Sequence, residues 1–166
     1  PVGNSRFFVA PRAYYSSRRQ NLYQEGDRVA EYRVRTGSAA ADLGYSFNRR
    51  TQWRTGFELG RANAKVDVGD PLLPRVEGVF SNVSTRFVYD GQNSATVPTH
   101  GWRTTANAYW YFKSPGAAQG FPQAEVTTSY FAPLGNRGTV FGYGAGGTSF
   151  DKTPGPIKQF TLGGPF

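Results

Sequence analysis

The chain has 166 residues, with 19 Lys and Arg against 11 Asp and Glu, a net charge of +8 and no cysteine. That length suits one domain, residues 1–166, and the missing cysteines exclude a disulfide framework and a thiolate metal site. Aromatics make up 16% and glycines number 21, while Leu and Ile are scarce, which excludes a close-packed aliphatic core and favours a sheet with a thin apolar skin.

Helical periodicity is nearly absent, and alternation with a period of two recurs along the chain. The first run, Arg6 to about Glu25, sets Phe7, Val9, Ala13 and Tyr15 against Arg6, Arg12, Tyr14 and Arg18. Pro11 inside it fits an edge position or a bulge. The segment EGD, 25–27, reads as a tight turn. The second run starts at Arg28 and sets Ala30, Tyr32 and Val34 against Val29, Glu31, Arg33 and Arg35. After Gly37 the apolar set becomes Ala39, Ala41, Leu43, Tyr45 and Phe47. A one-residue slip would do this, so the run reads as one long strand with a bulge.

NRRT, 48–51, is a turn. The third run begins with Trp53, Thr55, Phe57 and Leu59 on one face, and shifts past Gly60 to Ala62, Ala64, Val66 and Val68. After a loop at 69–74, the fourth run, Glu77 to Asp90, sets Val79, Val83, Phe87 and Tyr89 against Asn82, Ser84, Arg86 and Asp90. The linker GQNSATVPTH leads to the most regular stretch, WRTTANAYWYFK at 102–113. Its one face is Trp102, Thr104, Ala106, Ala108, Trp110 and Phe112; its other is Arg103, Thr105, Asn107, Tyr109, Tyr111 and Lys113. A loop at 114–122 precedes Gln123 to Ala132, where Ala124, Val126, Thr128 and Tyr130 oppose Glu125, Thr127 and Ser129. LGNR at 134–137 turns the chain into the glycine-rich run Thr139 to Thr148. A last strand is expected at Gln159 to Gly163.

The fold class is therefore all-β: an antiparallel up-and-down meander of about eight strands. A soluble sheet alternates with apolar residues inward; a membrane barrel turns its apolar residues to lipid and its polar ones to the lumen. Bulky polar residues in run after run, aromatics gathered near strand ends, and connections of alternating length favour part of a transmembrane β-barrel. On that reading Trp102, Ala106, Ala108, Trp110, Phe112, Val79, Val83 and Phe87 face lipid, and Arg86, Arg103, Asn107, Tyr109 and Glu125 face the lumen. No apolar run approaches the about 18 residues of a membrane helix, which excludes helical membrane proteins only. Strands cross a bilayer in about 9–11 residues.

The stretch RFVYDGQNSATVPTHGWRTTANAYW resembles the bacterial surface-antigen outer-membrane barrel superfamily, which includes barrel-assembly factors and two-partner-secretion transporters. That family closes a strand with Asp, follows it with Pro, and raises the next strand from Gly: here Asp90, Pro98 and Gly101. The tail QFTLGG is similar to the family's F-x-L-G-G element, through Phe160, Leu162, Gly163 and Gly164. RVAEYRV and ADLGYSF look most like the barrel that follows a patatin-like phospholipase domain. The resemblance implies a bacterial outer-membrane module that anchors, displays or translocates an attached or partner polypeptide. Its partners would be membrane lipid and periplasmic domains of the same chain or of a partner, and a homo-oligomer is compatible with it. The family's barrel has more strands than eight, and neither its inward loop nor its periplasmic repeats are present. The chain therefore reads as a barrel fragment.

No catalytic constellation is present. G-x-S-x-G is absent, His100 is the single histidine and falls in a turn, and metal-ligand spacing is missing. Asp67 and Asp70 read as loop solvation. No cofactor is expected, and the chain itself is not expected to be an enzyme. A soluble barrel carrying a small apolar ligand is the alternative. Nucleic-acid binding, which needs aromatics interleaved with cations on one face, is disfavoured because Trp102 and Trp110 lie opposite Arg103 and Lys113.

Overall fold

The computed structural model describes residues 6–24, 27–69, 73, 75–135, 138–150 and 152. They form one seven-stranded sheet in chain order: β1 (Phe7–Gln24), β2 (Asp27–Ser46), β3 (Thr51–Gly69), β4 (Val76–Asp90), β5 (Gly101–Lys113), β6 (Phe121–Leu134) and β7 (Gly138–Thr148). Every neighbouring pair is antiparallel. Among the described residues β1 and β7 are the edges, so the sheet is open there. An edge strand tolerates Pro11, which cannot donate to a ladder. The expected strand at Gln159 to Gly163 lies outside the described residues, as do Phe160, Leu162, Gly163 and Gly164 of the tail element.

The register sorts side chains onto two faces. A rung running Phe7–Tyr45–Trp53–Phe87–Ala106–Val126 defines one, called here the outer face. The inner face holds the buried side chains Asp42, Phe80, Asn82, Tyr111, Phe121 and Gln123. It also encloses a polar cavity of about 200 Å³ lined from Arg12 of β1 to Tyr109 and Tyr111 of β5. One cavity shared by five strands requires the sheet to curl around this face.

The phase changes at Gly37 and Gly60 are not bulges. The β1–β2 register passes unbroken through Tyr15–Gly37, and the β2–β3 register through Gly37–Arg61 and Ser38–Gly60. The register shifts fall elsewhere, at Leu22/Tyr23, Glu31/Tyr32 and Ser81/Asn82. The backbone runs straight while the polarity of each face reverses. On one side of this level the outer face carries Ala39, Ala41, Leu43, Phe57 and Leu59. On the other it carries Arg33, Arg35, Arg61 and Lys65, and Ala30, Val34, Ala62 and Ala64 are buried on the inner face.

Two inner-face glycines make room for larger neighbours. A Cβ at Gly60 would lie 2.4 Å from Phe80 Cζ, and one at Gly56 would lie 2.2 Å from Asp42 Oδ1. Phe80, 1% exposed, therefore covers the glycine of the adjacent strand. Burial of such a ring stabilises by roughly 1.5–3 kcal/mol.

The connections are held by their own side chains. At the β2–β3 turn, Asn48 Oδ1 accepts the backbone N–H groups of Arg50 and Thr51, both at 2.8 Å, an Asx-turn arrangement. The 91–100 connection is folded rather than extended: the Gly91 N–H donates to the Trp102 carbonyl at 2.9 Å, and Asn93 Oδ1 accepts from the N–H groups of Thr99 and His100.

Candidate functional site

The outer face is an apolar band between two groups of aromatics. At the end where β1 begins stand Phe7, Tyr45 and Phe47, in ring contact at 4.8 and 5.0 Å. With them are Trp53, Tyr89, Trp102 and Tyr130, the Tyr89 and Trp102 rings being 5.4 Å apart. Trp53 Nε1 donates to Thr85 Oγ1 at 2.7 Å, so its polar edge has a partner. Toward the other end Tyr15, Trp110 and Phe112 are exposed. Between them lie Val9, Leu43, Phe57, Leu59, Val83 and Val126, all exposed. Monomeric soluble proteins rarely expose apolar surface of this extent. The apolar stretch of β1 from Phe7 to Tyr15 matches the about 9–11 residues a tilted strand needs to cross a bilayer.

Trp102, Ala106, Ala108, Trp110 and Phe112 of β5, and Val79, Val83 and Phe87 of β4, share this outer face. The glycine run of β7 behaves differently. Pairing of Tyr130 with Gly142 and Val126 with Gly146 puts glycines outward, and Phe131–Phe141, stacked at 6.0 Å, fall on the inner face. No described atom lies within 4 Å of a Cβ built at Gly142 or Gly146, so nothing among the described residues packs against those two.

The inner face carries a chain of polar contacts across the sheet. Arg12 Nη2 lies 3.0 Å from Asp42 Oδ1, and Arg54 Nε lies 3.7 Å from Asp42 Oδ2. Arg86 Nε donates to Asn107 Oδ1 at 2.5 Å, and Asn107 Nδ2 to Glu125 Oε1 at 2.8 Å. Tyr109 OH donates to the same Glu125 oxygen at 3.2 Å, and Asn82 Nδ2 to Glu58 Oε2 at 3.1 Å. Arg54 and Arg86 are directly opposed in the register, a repulsive arrangement for like charges. Each has a polar partner on its far side, Asp42 for one and Asn107 for the other. The structure thus joins Arg86, Asn107, Tyr109 and Glu125 in one network. Arg103 shares their face but sits at the strand end, 3.6 Å from Asp90 Oδ2.

The sequence reading missed Asp42, the best buried carboxylate of this network. Its one local signal is a lone acid in the apolar run Ala39–Gly44; its partners belong to other strands and appear only with the register.

Asp90 and Gly101 form the ends of a folded connection. Asp90 Oδ1 accepts the Gln92 N–H at 3.2 Å, and the Asp90 N–H donates to the Arg50 carbonyl at 2.7 Å. Gly101 has φ +101°, and a Cβ there would lie 2.3 Å from the Gly91 carbonyl oxygen. Pro98 sits half-buried between them. We expect Gly101→Ala to destabilise the sheet by about 1–3 kcal/mol through backbone strain alone, read as a lower urea midpoint. An unchanged midpoint would show that the connection relaxes at no cost.

Beyond the apolar band the outer face is charged. Arg33 Nη2 lies 2.6 Å from Asp67 Oδ2, Arg19 Nε 3.2 Å from Glu31, and both Arg61 and Arg75 2.5 Å from Glu77. The hydrogen bond from Arg61, reinforced by the charge of Arg75, holds the Glu77 carboxyl below the usual carboxylate range. Asp67 is thus an ion-pair member; Asp70 lies outside the described residues. His100 takes part through its backbone in the 91–100 connection. Among the described residues no group of three or more His, Cys, Asp or Glu is placed to hold a metal.

No helix among the described residues is long and apolar enough to cross a membrane. No curated protein and no solved structure matches the chain. The Omp85 superfamily domain matches residues 5–166. Domains of this superfamily are bacterial outer-membrane barrels that serve assembly or secretion. An all-β antiparallel meander with an apolar band on one face and a polar network on the other is a section of such a wall, and the chain belongs to the Omp85 superfamily.

Proposed function

We propose that this chain forms part of an outer-membrane wall that anchors, displays or translocates an attached or partner polypeptide. The carrying observation is the reversal of polarity along unbroken strands. The outer face is apolar for one bilayer crossing and charged beyond it, and the inner face changes the opposite way. A wall that leaves lipid for water has this pattern; a soluble carrier keeps one apolar face along its whole strand length.

The reversal also gives an orientation. β1 to β3 continue well past the apolar band at the charged end, whereas β2 and β3 turn through Asn48 at the edge of the band at the other. Outer-membrane barrels keep short turns on the periplasmic side and longer extensions outside. The charged end is therefore the outer one, and the Asp90–Gly101 connection faces the periplasm, within reach of a periplasmic domain.

In this reading Trp102, Ala106, Ala108, Trp110, Phe112, Val79, Val83 and Phe87 meet lipid, and Arg86, Arg103, Asn107, Tyr109 and Glu125 line the lumen. The chain acts as a structural wall without catalytic groups of its own. The likeness of RVAEYRV and ADLGYSF to barrels behind patatin-like phospholipases supports a lipid-hydrolysing domain as the attached polypeptide. The test is protease accessibility of that polypeptide on intact cells. With the barrel present we expect it to be cut or released at the surface. Deleting the barrel should leave it protected in the periplasm, and equal accessibility with and without the barrel would refute the proposal.

A further inference from the structure

The charged part of the outer face is unusual in how its cations are stacked. Arg19, Arg33 and Lys65 occupy a single rung across β1, β2 and β3. Like charges directly opposite one another destabilise a sheet. On the next rung Arg35 faces Asn63, and on the one after Gly37 faces Arg61. The carboxylates are already engaged: Asp67 with Arg33 and Arg19, Glu31 with Arg19, and Glu77 with Arg61 and Arg75. Among the described residues Arg35 and Lys65, both exposed, form no ion pair. The patch starts where the apolar residues Ala39 and Leu59 end. Cations at that height meet the headgroup layer, where each Lys or Arg near an anionic surface contributes about 1 kcal/mol.

We propose that Arg35 and Lys65, with Arg61, form a binding site for the phosphate groups of an anionic glycolipid of the lipid A type in the outer leaflet. The site rests on the reading of the apolar band as the lipid face and of the charged end as external. Guanidinium groups give bidentate geometry to phosphate oxygens, and the lysine adds a point charge. Glycolipid phosphates held there offset the charge of Lys65, the one cation of that rung without an ion pair among the described residues, and fix the height of the wall in the bilayer.

The test is native mass spectrometry of the intact protein folded in detergent micelles, titrated with lipid A, with dephosphorylated lipid A, and with phosphatidylglycerol. We expect lipid A to be retained in preference to the other two, with affinity falling as salt rises. The double variant Arg35→Gln, Lys65→Gln should weaken retention about thirtyfold, and Arg35→Lys, which keeps the charge but loses the bidentate fork, should weaken it less than Arg35→Gln does. Equal retention of dephosphorylated lipid A or of phosphatidylglycerol, or of lipid A by the double variant, would overturn the site. Should the double variant not fold, the phosphate and salt dependence of the unaltered protein decides. A protein that folds in micelles but shows no phosphate preference sinks this site alone. A protein that folds without micelles sinks the membrane reading beneath it.

Discussion

Val83→Arg is expected to lower the stability of the lipid-embedded sheet by about 2–4 kcal/mol, and Val79→Arg by about 0–1 kcal/mol. Both valines project from the outer face of β4, and both are exposed. What separates them is depth. Val83 lies on the rung of Phe57 and Ala41, within the apolar band, whereas Val79 pairs with Arg61, at its charged edge. A cation placed at Val83 must leave water; one placed at Val79 can stay in it. The comparison is read from denaturant midpoints in lipid vesicles. Were the outer face bathed in water, the two variants would differ little, and neither would lose more than a few tenths of a kcal/mol.

Asp42→Ala is expected to cost about 3 kcal/mol, near the lower end for a broken buried pair. Asp42 is 4% exposed at its side chain, and its two oxygens serve Arg12 and Arg54. Without it, Arg54 faces Arg86 across the β3–β4 pair with no carboxylate to offset the repulsion. Arg12 is half in solvent and loses little. Adding Arg54→Gln to Asp42→Ala should therefore restore part of the loss, a coupling that a double-mutant cycle isolates. Additive losses would mean that Asp42 acts by filling the space above Gly56 rather than by its charge.

Strand positions were legible because alternation has a fixed period and the turns carry their own chemistry. β1, β3, β4 and β5 begin or end within a residue or two of the runs read from the sequence, and Asn48 marks its turn. The reversals at Gly37 and Gly60 were visible, and the one at Gly37 was misread as a bulge. A change of apolar phase in a sequence has two causes, a backbone slip or a change of solvent along the strand. Only the unbroken register Tyr15–Gly37–Arg61 shows which applies. The outer surface changes solvent there, so Leu59 and Arg61 can share one face.

The cross-strand contacts were the least legible part. Arg86, Asn107, Tyr109 and Glu125 were placed on one face by parity, but parity does not say that Asn107 bridges Arg86 to Glu125. It also gave no hint that Asp42 reaches Arg12 and Arg54, or that Phe80 covers Gly60. Those contacts depend on which residues the register brings side by side, and on bulges such as Ser81/Asn82 that no local signal announces.

An outer face that meets lipid needs lipid or detergent to cover it before the sheet can form. Far-UV circular dichroism tests this most directly, after dilution of urea-unfolded protein into plain buffer and, separately, into detergent micelles. A lipid-facing sheet is expected to give a cooperative strand signal with micelles and none without them. Cooperative folding in plain buffer would contradict it and return the protein to the class of soluble carriers.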